Sequence, residues 1–238
     1  MPKISIIIPA YNCASTIDKC LKSVFDQTFQ DFEVIVINDG SKDGLNEVIK
    51  SWLNPPQPSL SQREGVIRYI SQENQGAPMA RNNGFAESTG EYVIFLDADI
   101  IMKPSMLAKL LKKSEETPDA SYAYSSFMWG WKKFKLWPFN AEKLKQIPYI
   151  HTSALIKRED FPGFDSKLKK FQDWDLWLTM LEQGHMGIWV DEVLFRITSS
   201  GTMSSWLPSF VYKLPFIKTK NKDKYEKAME IIKEKHNL

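Results

Sequence analysis

The chain is poor in the two residue types that build disulfide frameworks and histidine-based metal centres. Its 238 residues include two cysteines and three histidines. Cys13 and Cys20 have neither a metal-ligand nor a redox spacing, so we expect free thiols in a reducing compartment. With three histidines, we do not expect a histidine-based metal site.

Long apolar runs and a large charge imbalance are also missing. No apolar stretch reaches the roughly 20 residues that a membrane-spanning helix needs. The first apolar run is strand-like and stops at Pro9, which is not typical of a signal peptide. The formal net charge is +2, which does not favour nucleic acid as a partner. We expect a soluble, cytoplasmic protein with at most a peripheral contact at the inner face of the membrane.

Glycine-rich phosphate loops are absent too. The first predicted strand, residues 3–8, is followed by neither a Gly-x-Gly-x-x-Gly nor a Gly-Lys-Ser/Thr motif. Those loops bind phosphate through backbone N–H groups. A nucleotide diphosphate bound by this chain would therefore depend more on a metal for charge neutralisation.

What the sequence does contain is a regular alternation of strand and helix patterns. The strand-like runs lie at 3–8, 32–37, 66–70 and 92–95. Between the first two runs, Ile17, Leu21 and Val24 recur on one helical face. The alternation predicts a single α/β domain with a mostly parallel central sheet flanked by helices. We interpret the proline-rich segment 54–65 as a surface loop.

Two aspartates follow the fourth predicted strand. Asp97 and Asp99 stand where a buried parallel strand would end. Ligand crevices of open α/β sheets lie outside the carboxyl ends of the strands, and paired carboxylates suit Mg²⁺ or Mn²⁺ bound with phosphate. The alternative is a simple turn, because aspartate is a common turn residue. Polar residues at two earlier strand ends, near Tyr11 and Asp39, favour the metal interpretation.

Five short motifs carry a resemblance to a known family. They are Pro9-Ala10-Tyr11-Asn12, Asn38-Asp39-Gly40-Ser41, Asn74-Gln75-Gly76 with Ala80-Arg81-Asn82-Asn83-Gly84, Asp97-Ala98-Asp99, and Gln172-Asp173-Trp174-Asp175-Leu176-Trp177-Leu178. In this order they resemble the family 2 inverting glycosyltransferases, which have the A-type nucleotide-sugar fold. The resemblance implies a catalytic domain at 1–217, with a nucleotide-binding half at about 1–100 and an acceptor half at about 101–217. A basic amphipathic helix at 218–238 would follow.

The resemblance implies that the first strand ends bind the nucleotide. Tyr11, in one motif with Pro9 and Asn12, would lie against a uracil base. The alternative for Tyr11 is a half-buried aromatic residue that closes the sheet. Asp39 would accept a hydrogen bond from a base N–H, unless it forms an Asx-turn.

The resemblance also implies residues for the diphosphate and the metal. Arg81 would meet the diphosphate or a sugar hydroxyl, the alternative being a salt bridge to a neighbouring helix. Asp97 would contact the ribose or the metal, and Asp99 would be a ligand of Mg²⁺ or Mn²⁺.

A second acidic pair begins a predicted helix in the acceptor half. The resemblance assigns Asp173 as the catalytic base, whereas we interpret Asp175 as an acidic residue that complements the helix dipole. Gln172 replaces a common glutamate and Thr179 a common arginine, which affects the expected acceptor contacts. Burial would raise the pKa of Asp173 and a helix N-terminus would lower it, so the sequence leaves the direction open.

These parts predict a metal-dependent inverting glycosyltransferase. It would move one sugar from a nucleoside-diphosphate sugar, UDP-linked in the favoured case, to a glycan or lipid-linked acceptor in cell-envelope polysaccharide synthesis. The chain has no Gln-x-x-Arg-Trp motif of the processive synthases, which favours single-sugar transfer. The alternatives are a sugar nucleotidyltransferase and a non-catalytic sugar- or lipid-carrier-binding module on the same fold.

Three further features have open interpretations. The aromatic and basic segment 127–139 would be core, an acceptor loop or a membrane contact, and the aromatic segment 206–217 would join the same surface. His151 would be an acceptor contact or a buried, hydrogen-bonded residue. The lysine-rich tail would be a terminal helix that packs on its apolar stripe of Tyr225, Met229 and Ile232.

Overall fold

The computed structural model describes residues 1–53, 67–198 and 220–238. The strands are β1 Ile4–Ala10, β2 Phe32–Asp39, β3 Ile67–Gln72, β4 Tyr92–Phe95, β5 Ile100–Met102, β6 Tyr122–Trp129, β7 Lys132–Phe134, β8 Leu155–Lys157 and β9 Gly187–Ile197. The helices are α1 Ala14–Phe25, α2 Leu45–Leu53, α3 Ala77–Glu87, α4 Met106–Glu115, α5 Ala141–Gln146, α6 Gln172–Glu182 and α7 Lys220–Lys235. The expected surface loop at 54–65 and the aromatic segment 206–217 lie outside the described residues.

The described strands form one central sheet in the order β3-β2-β1-β4-β8-β6-β9-β5, with β7 paired to β6. From β3 to β4 every pairing is parallel. Strand β8 is antiparallel to both β4 and β6, while β9 is parallel to β6 and antiparallel to β5. The predicted single α/β domain, with a mostly parallel sheet flanked by helices, is confirmed.

The centre of the sheet is apolar on both faces because helices cover both sides. In β1, Ile6, Ile7 and Ile8 are all completely buried. Helix α3 crosses this strand so closely that a Cβ atom at Gly84 would lie 2.4 Å from Cγ2 of Ile7. Only glycine permits this approach, which brings α3 and its Arg81 against the strands.

The expected end of the first strand at Pro9 is wrong, because β1 continues to Ala10. The carbonyl of Ile7 accepts a hydrogen bond from the N–H of Leu96, just beyond β4. The nitrogen of Pro9, two residues later, faces the same side of β1 as the Ile7 carbonyl. Strand β4 has already ended at that level, because the pairing of β1 with β4 stops at Phe95. The missing N–H of proline therefore removes no ladder hydrogen bond.

Most aromatic residues of the segment 127–139 belong to the core. The Phe127 ring stacks on Phe134 with ring centroids 4.9 Å apart and on Phe195 at 5.3 Å. The Trp137 ring packs against Tyr149 at 4.9 Å. The exception is Trp131, which is 92% exposed in the turn between β6 and β7.

Helix α7 packs on the domain through its expected apolar stripe. Ile232 is completely buried, and the ring of Tyr225 contacts that of Phe171 with centroids 4.9 Å apart. Met229 is partly buried against the same core. Among the described helices, none is long and apolar enough to cross a membrane.

Candidate active site

The loops after β1 and β2 are joined by hydrogen bonds through Asn12. Its backbone N–H donates to Oγ of Ser41 at 3.0 Å, and its Oδ1 accepts from the N–H of Lys42 at 2.9 Å. Asn12 has a φ of 48°, a left-handed conformation that asparagine tolerates better than most residues. This arrangement follows Pro9 and leaves Tyr11 46% exposed at the end of β1, with ring surface available for stacking.

Asp39 anchors the loop that leads into α3. Its Oδ1 accepts hydrogen bonds from the N–H of Gln75 and from Nε2 of Gln72, each at 2.8 Å. Its Oδ2 accepts from the N–H of Gly76, also at 2.8 Å. The side chain is buried, and these partners differ from those of a local Asx-turn. A carboxylate has about four acceptor positions, so Asp39 keeps capacity for one more donor.

Arg81 connects the two halves of the domain. Its Nη2 donates to Oδ1 of Asp97 at 2.6 Å, and its Nη1 donates to Oε1 of Gln172 at 2.9 Å. The guanidinium lies 5.1 Å from the ring centroid of Phe164. Its buried Nε has no hydrogen-bond partner within the described part of the chain. The neutral Gln172 amide accepts from Arg81 without adding a negative charge.

The aspartates after β4 have opposite pKa shifts. Burial raises the pKa of Asp97, but the charges of Arg81 and His151 outweigh it and leave that pKa below its usual range. Burial, and then the charge of Asp97, raise the pKa of Asp99 to about 6. The carboxylate of Asp99 has no cationic side chain beside it within 1–53, 67–198 and 220–238. A desolvated carboxylate next to a second one is suited to a divalent cation.

The same described residues contain no cluster of three or more His, Cys, Asp or Glu side chains in a metal-binding arrangement. Asp97 and Asp99 can thus supply only part of a coordination sphere. This suits Mg²⁺ in particular, which commonly takes one or two carboxylates and fills its other positions with phosphate and water.

His151 lies beside these carboxylates, and its hydrogen bonds indicate its tautomer. Its Nδ1 accepts from the backbone N–H of Ser153 at 3.1 Å, so a proton on the ring is carried by Nε2. Nε2 is 3.9 Å from Oδ2 of Asp97, which is too long for a direct hydrogen bond. Burial lowers the pKa of His151, although Asp97 and Asp173 act in the opposite direction. The Nε2–H group can therefore donate to a ligand.

Asp173 is the second residue of α6 and has electrostatic contact with both His151 and Arg81. Burial raises its pKa above the usual range. The charges of those two residues and the N–H of Trp174, which donates to Oδ1 at 2.9 Å, lower the pKa by less. Burial therefore outweighs the effect of the helix N-terminus on this pKa. The shift is upward, a direction that the sequence left open.

Asp175 has a different environment from Asp173. It is buried and accepts from Nζ of Lys235 at 2.7 Å and from Nε2 of His236 at 2.9 Å. Its interpretation as a residue that only complements the helix dipole is therefore incomplete, because it binds the C-terminal helix. Sequence reasoning also missed Gln172 as the partner of Arg81, for which the only signal was its departure from glutamate.

The family model described as glycosyl transferase family 2 matches residues 5–172, which include the ends of β1, β2 and β4 and the start of α6. The chain belongs to this family. The glycosyltransferase is 30% identical over 202 residues to chondroitin synthase from Pasteurella multocida, an alignment that covers 77% of this chain and 19% of that protein. It is 38% identical over 114 residues to the glycosyltransferase GlyA from Streptococcus pneumoniae, covering 48% of this chain and 15% of GlyA.

Solved structures share the fold of this glycosyltransferase. TarS 1-349 from S. aureus in complex with UDP-GlcNAc has a TM-score of 0.69 at 17% identity, covering 89% of this chain and 64% of that one. The mannosyltransferase PcManGT from Pyrobaculum calidifontis, in complex with GDP-Man and Mn²⁺, has a TM-score of 0.66 at 20% identity, covering 86% and 59%. The chain thus spans less than two thirds of these two structures and less than a fifth of chondroitin synthase and of GlyA.

Proposed function

We propose that this glycosyltransferase moves a single sugar from a nucleoside-diphosphate sugar, UDP-linked in the favoured case, to a hydroxyl group of a glycan or lipid-linked acceptor. One observation carries the proposal: Arg81 connects Asp97, just after β4, with the first residue of the helix that carries Asp173. A donor-binding carboxylate pair and a basic carboxylate are thereby linked through one side chain. The proposed setting is cytoplasmic cell-envelope polysaccharide synthesis.

The nucleotide would bind at the ends of β1 and β2. Tyr11 offers an exposed ring for the base at the end of the segment formed with Pro9 and Asn12. Asp39 retains one acceptor position for a base N–H. Support for a nucleotide-sugar donor comes from TarS and PcManGT, which were crystallised with UDP-GlcNAc and GDP-Man.

Asp99, with Asp97, would hold Mg²⁺ or Mn²⁺. The raised pKa of Asp99 supports this assignment, because a cation would relieve the repulsion from Asp97. When bound, the cation would neutralise part of the charge on the diphosphate leaving group. Arg81 has a separate role in this proposal, because it keeps Asp97 ionised and oriented.

Asp173 would act as the general base. Its raised pKa makes it a better proton acceptor than an ordinary aspartate. It would take the proton of the acceptor hydroxyl as that oxygen attacks the sugar from the side opposite the diphosphate. A single displacement of this kind inverts the anomeric configuration, so an α-linked donor would give a β-linked product.

Turnover of a panel of nucleotide sugars with glycan and lipid-extract acceptors tests this function. A glycosyltransferase releases nucleoside diphosphate in an acceptor-dependent manner. Release of pyrophosphate from nucleoside triphosphate would instead indicate a nucleotidyltransferase, and donor binding without turnover would indicate a non-catalytic module. An α-linked product from an α-linked donor would contradict inversion.

His151 is expected to contribute to transfer through its Nε2–H group. In His151→Phe the ring would remain between Phe127 and Phe195, which lie 5.7 and 5.3 Å from it, but the donor would be lost. Loss of one hydrogen bond in a desolvated site is worth about 1–3 kcal/mol, so we expect the rate to fall by roughly 5-fold to 150-fold. Initial transfer rates measure this effect. A wild-type rate would mean that His151 serves packing alone.

The turn between β6 and β7 is the proposed contact with an anionic membrane surface that presents a lipid-linked acceptor. Trp131 is exposed there, as are Lys132, Lys133 and Lys135. Each lysine near such a surface contributes about 1 kcal/mol. Co-sedimentation with anionic vesicles should therefore weaken as salt rises, and replacing the three lysines with glutamine should weaken it further.

A control variant separates this contact from general charge attraction. Lys19, Lys50 and Lys227 are exposed on other surfaces, and their replacement by glutamine removes the same total charge. We expect this triple variant to bind vesicles nearly as well as the wild type. Absence of vesicle binding at low salt would contradict the membrane contact.

A further inference from the structure

The C-terminal end of α7 is bound to α6 by a network of charged side chains. Nζ of Lys235 lies 2.7 Å from Oδ1 of Asp175 and 2.8 Å from Oδ2 of Asp165. The next residue, His236, lies between two carboxylates of α6. Its Nε2 is 2.9 Å from Oδ1 of Asp175, and its Nδ1 is 2.8 Å from Oε1 of Glu182. One turn at the end of the chain thus engages both ends of α6.

The chemistry of this network favours a fixed geometry. Ionised carboxylates only accept hydrogen bonds, so each ring nitrogen of His236 that carries a proton can donate to the carboxylate beside it, Nε2 to Asp175 and Nδ1 to Glu182. The His236 and Asp175 side chains are 2% and 4% exposed, so water does not readily replace these bonds. Truncating either partner would leave a buried charged group without its bond.

The N-terminal part of α7 contacts the residue that directly precedes α6. The Tyr225 ring contacts Phe171 edge-on, with centroids 4.9 Å apart and an interplanar angle of 71°. Phe171 directly precedes α6 and has a φ of 56°, an unfavourable conformation for a bulky residue without glycine's freedom. Packing against Tyr225, and against Trp174 at 5.8 Å, stabilises this conformation.

The two contacts flank Asp173 in sequence, since Phe171 precedes it and Asp175 follows it by two residues. The family match ends at residue 172, so both Asp173 and α7 lie beyond the matched segment. We propose that α7 is a positioning clamp, which fixes the first turn of α6 and thereby orients Asp173 toward the acceptor. This inference rests on the proposed function, in which Asp173 is the base.

The clamp predicts a separation of catalysis from donor binding. The residues proposed to bind the donor lie at the ends of β1, β2 and β4, and none of them contacts α7 through a hydrogen bond or ion pair in the described ranges. Displacement of a reacting group by about 1 Å costs up to about 100-fold in rate. Loosening α7 should therefore lower kcat and leave donor affinity unchanged.

The test compares two double variants in and next to the same helix. The Lys235→Gln/His236→Gln variant removes both side chains of the clamp that bond Asp175. The Lys224→Gln/Lys227→Gln control removes two exposed lysines of the same helix. We expect kcat to fall by about 10-fold to 100-fold in the first variant and to stay at the wild-type value in the control. UDP affinity by calorimetry should change less than about twofold in both. Lys235→Arg, which keeps the charge, should retain most of the activity.

Parallel loss of kcat and UDP affinity would overturn the clamp, because α7 would then stabilise the whole domain. A wild-type kcat in the first variant would also overturn it, provided that Asp173→Asn is inactive. Full activity of Asp173→Asn would instead contradict the proposed base. Hydrogen exchange tests the clamp without turnover: faster exchange of the Trp174, Asp175 and Leu176 amides is expected in the first variant, and unchanged exchange would overturn the proposal.

Discussion

Replacing Asp173 with asparagine should lower sugar transfer by about 100-fold to 10,000-fold, the range that general bases contribute. Asparagine has nearly the same shape but cannot accept the proton of the acceptor hydroxyl. Within the described part of the chain, the Asp173 carboxylate shares no hydrogen bond with the strand ends that would bind the donor, so UDP affinity should stay near the wild-type value. Initial transfer rates and calorimetric UDP titration measure the two effects.

The pH dependence of transfer gives a second measurement on Asp173. A protonated carboxyl cannot act as a base, so the rate should fall as the pH falls through the pKa of Asp173. Because burial raises that pKa, the acid limb should lie at a higher pH than the ordinary pKa of aspartate.

The control for this substitution is an exposed aspartate. Asp175 is unsuitable as a control because its side chain holds the C-terminal helix. Asp191 is exposed in β9, and Asp191→Asn should leave transfer unchanged. Asp175→Asn should destabilise the fold by about 1–3 kcal/mol, because Lys235 and His236 would lose a charged partner. The base assignment is wrong if Asp173→Asn keeps its activity while Asp175→Asn loses all of it at a temperature where it remains folded.

Replacing Asp99 with asparagine should remove the metal dependence of UDP binding. In the wild type we expect Mn²⁺ or Mg²⁺ to raise UDP affinity by at least about tenfold, which corresponds to 1.4 kcal/mol. The reason is that the desolvated carboxylate of Asp99 next to Asp97 would gain a counter-charge that also binds the diphosphate. Calorimetric titration of UDP with metal and with a chelator measures this difference.

Asp191→Asn serves as the matched control here too and should keep the metal dependence. Equal UDP affinity of the wild type with and without metal would defeat the proposed metal site. A metal dependence that persists in Asp99→Asn would mean that other residues bind the metal.

Local periodicity was enough to predict the first half of the fold. The runs that became β1, β2 and β4 are largely apolar because helices cover both faces of the sheet there, and such runs are visible without any partner strand. The same holds for α6, whose apolar spacing predicted a helix with Asp173 at or just before its first turn. Strand β3 lies at the edge of the sheet and is only partly buried. Strands β6 and β9 were not predicted. The aromatic segment 127–139 includes the end of β6, and β9 has an irregular burial pattern without strict alternation. The pairing of these two strands also shifts in register at Ser125 and Ser126 of β6.

The sequence by itself determined the family resemblance, the α/β class and the candidate residues at the strand ends, because each depends on a short stretch of chain. The tertiary structure alone decided which of these residues act on one another. Arg81 and Gln172 are 91 positions apart, and Asp175 and His236 are 61 apart. Neither pair can be recognised from a local sequence pattern, because folding brings these residues together through the sheet order and the docking of α7. The pKa shifts of Asp99 and Asp173 have the same origin, since both follow from burial that only the packed crevice creates.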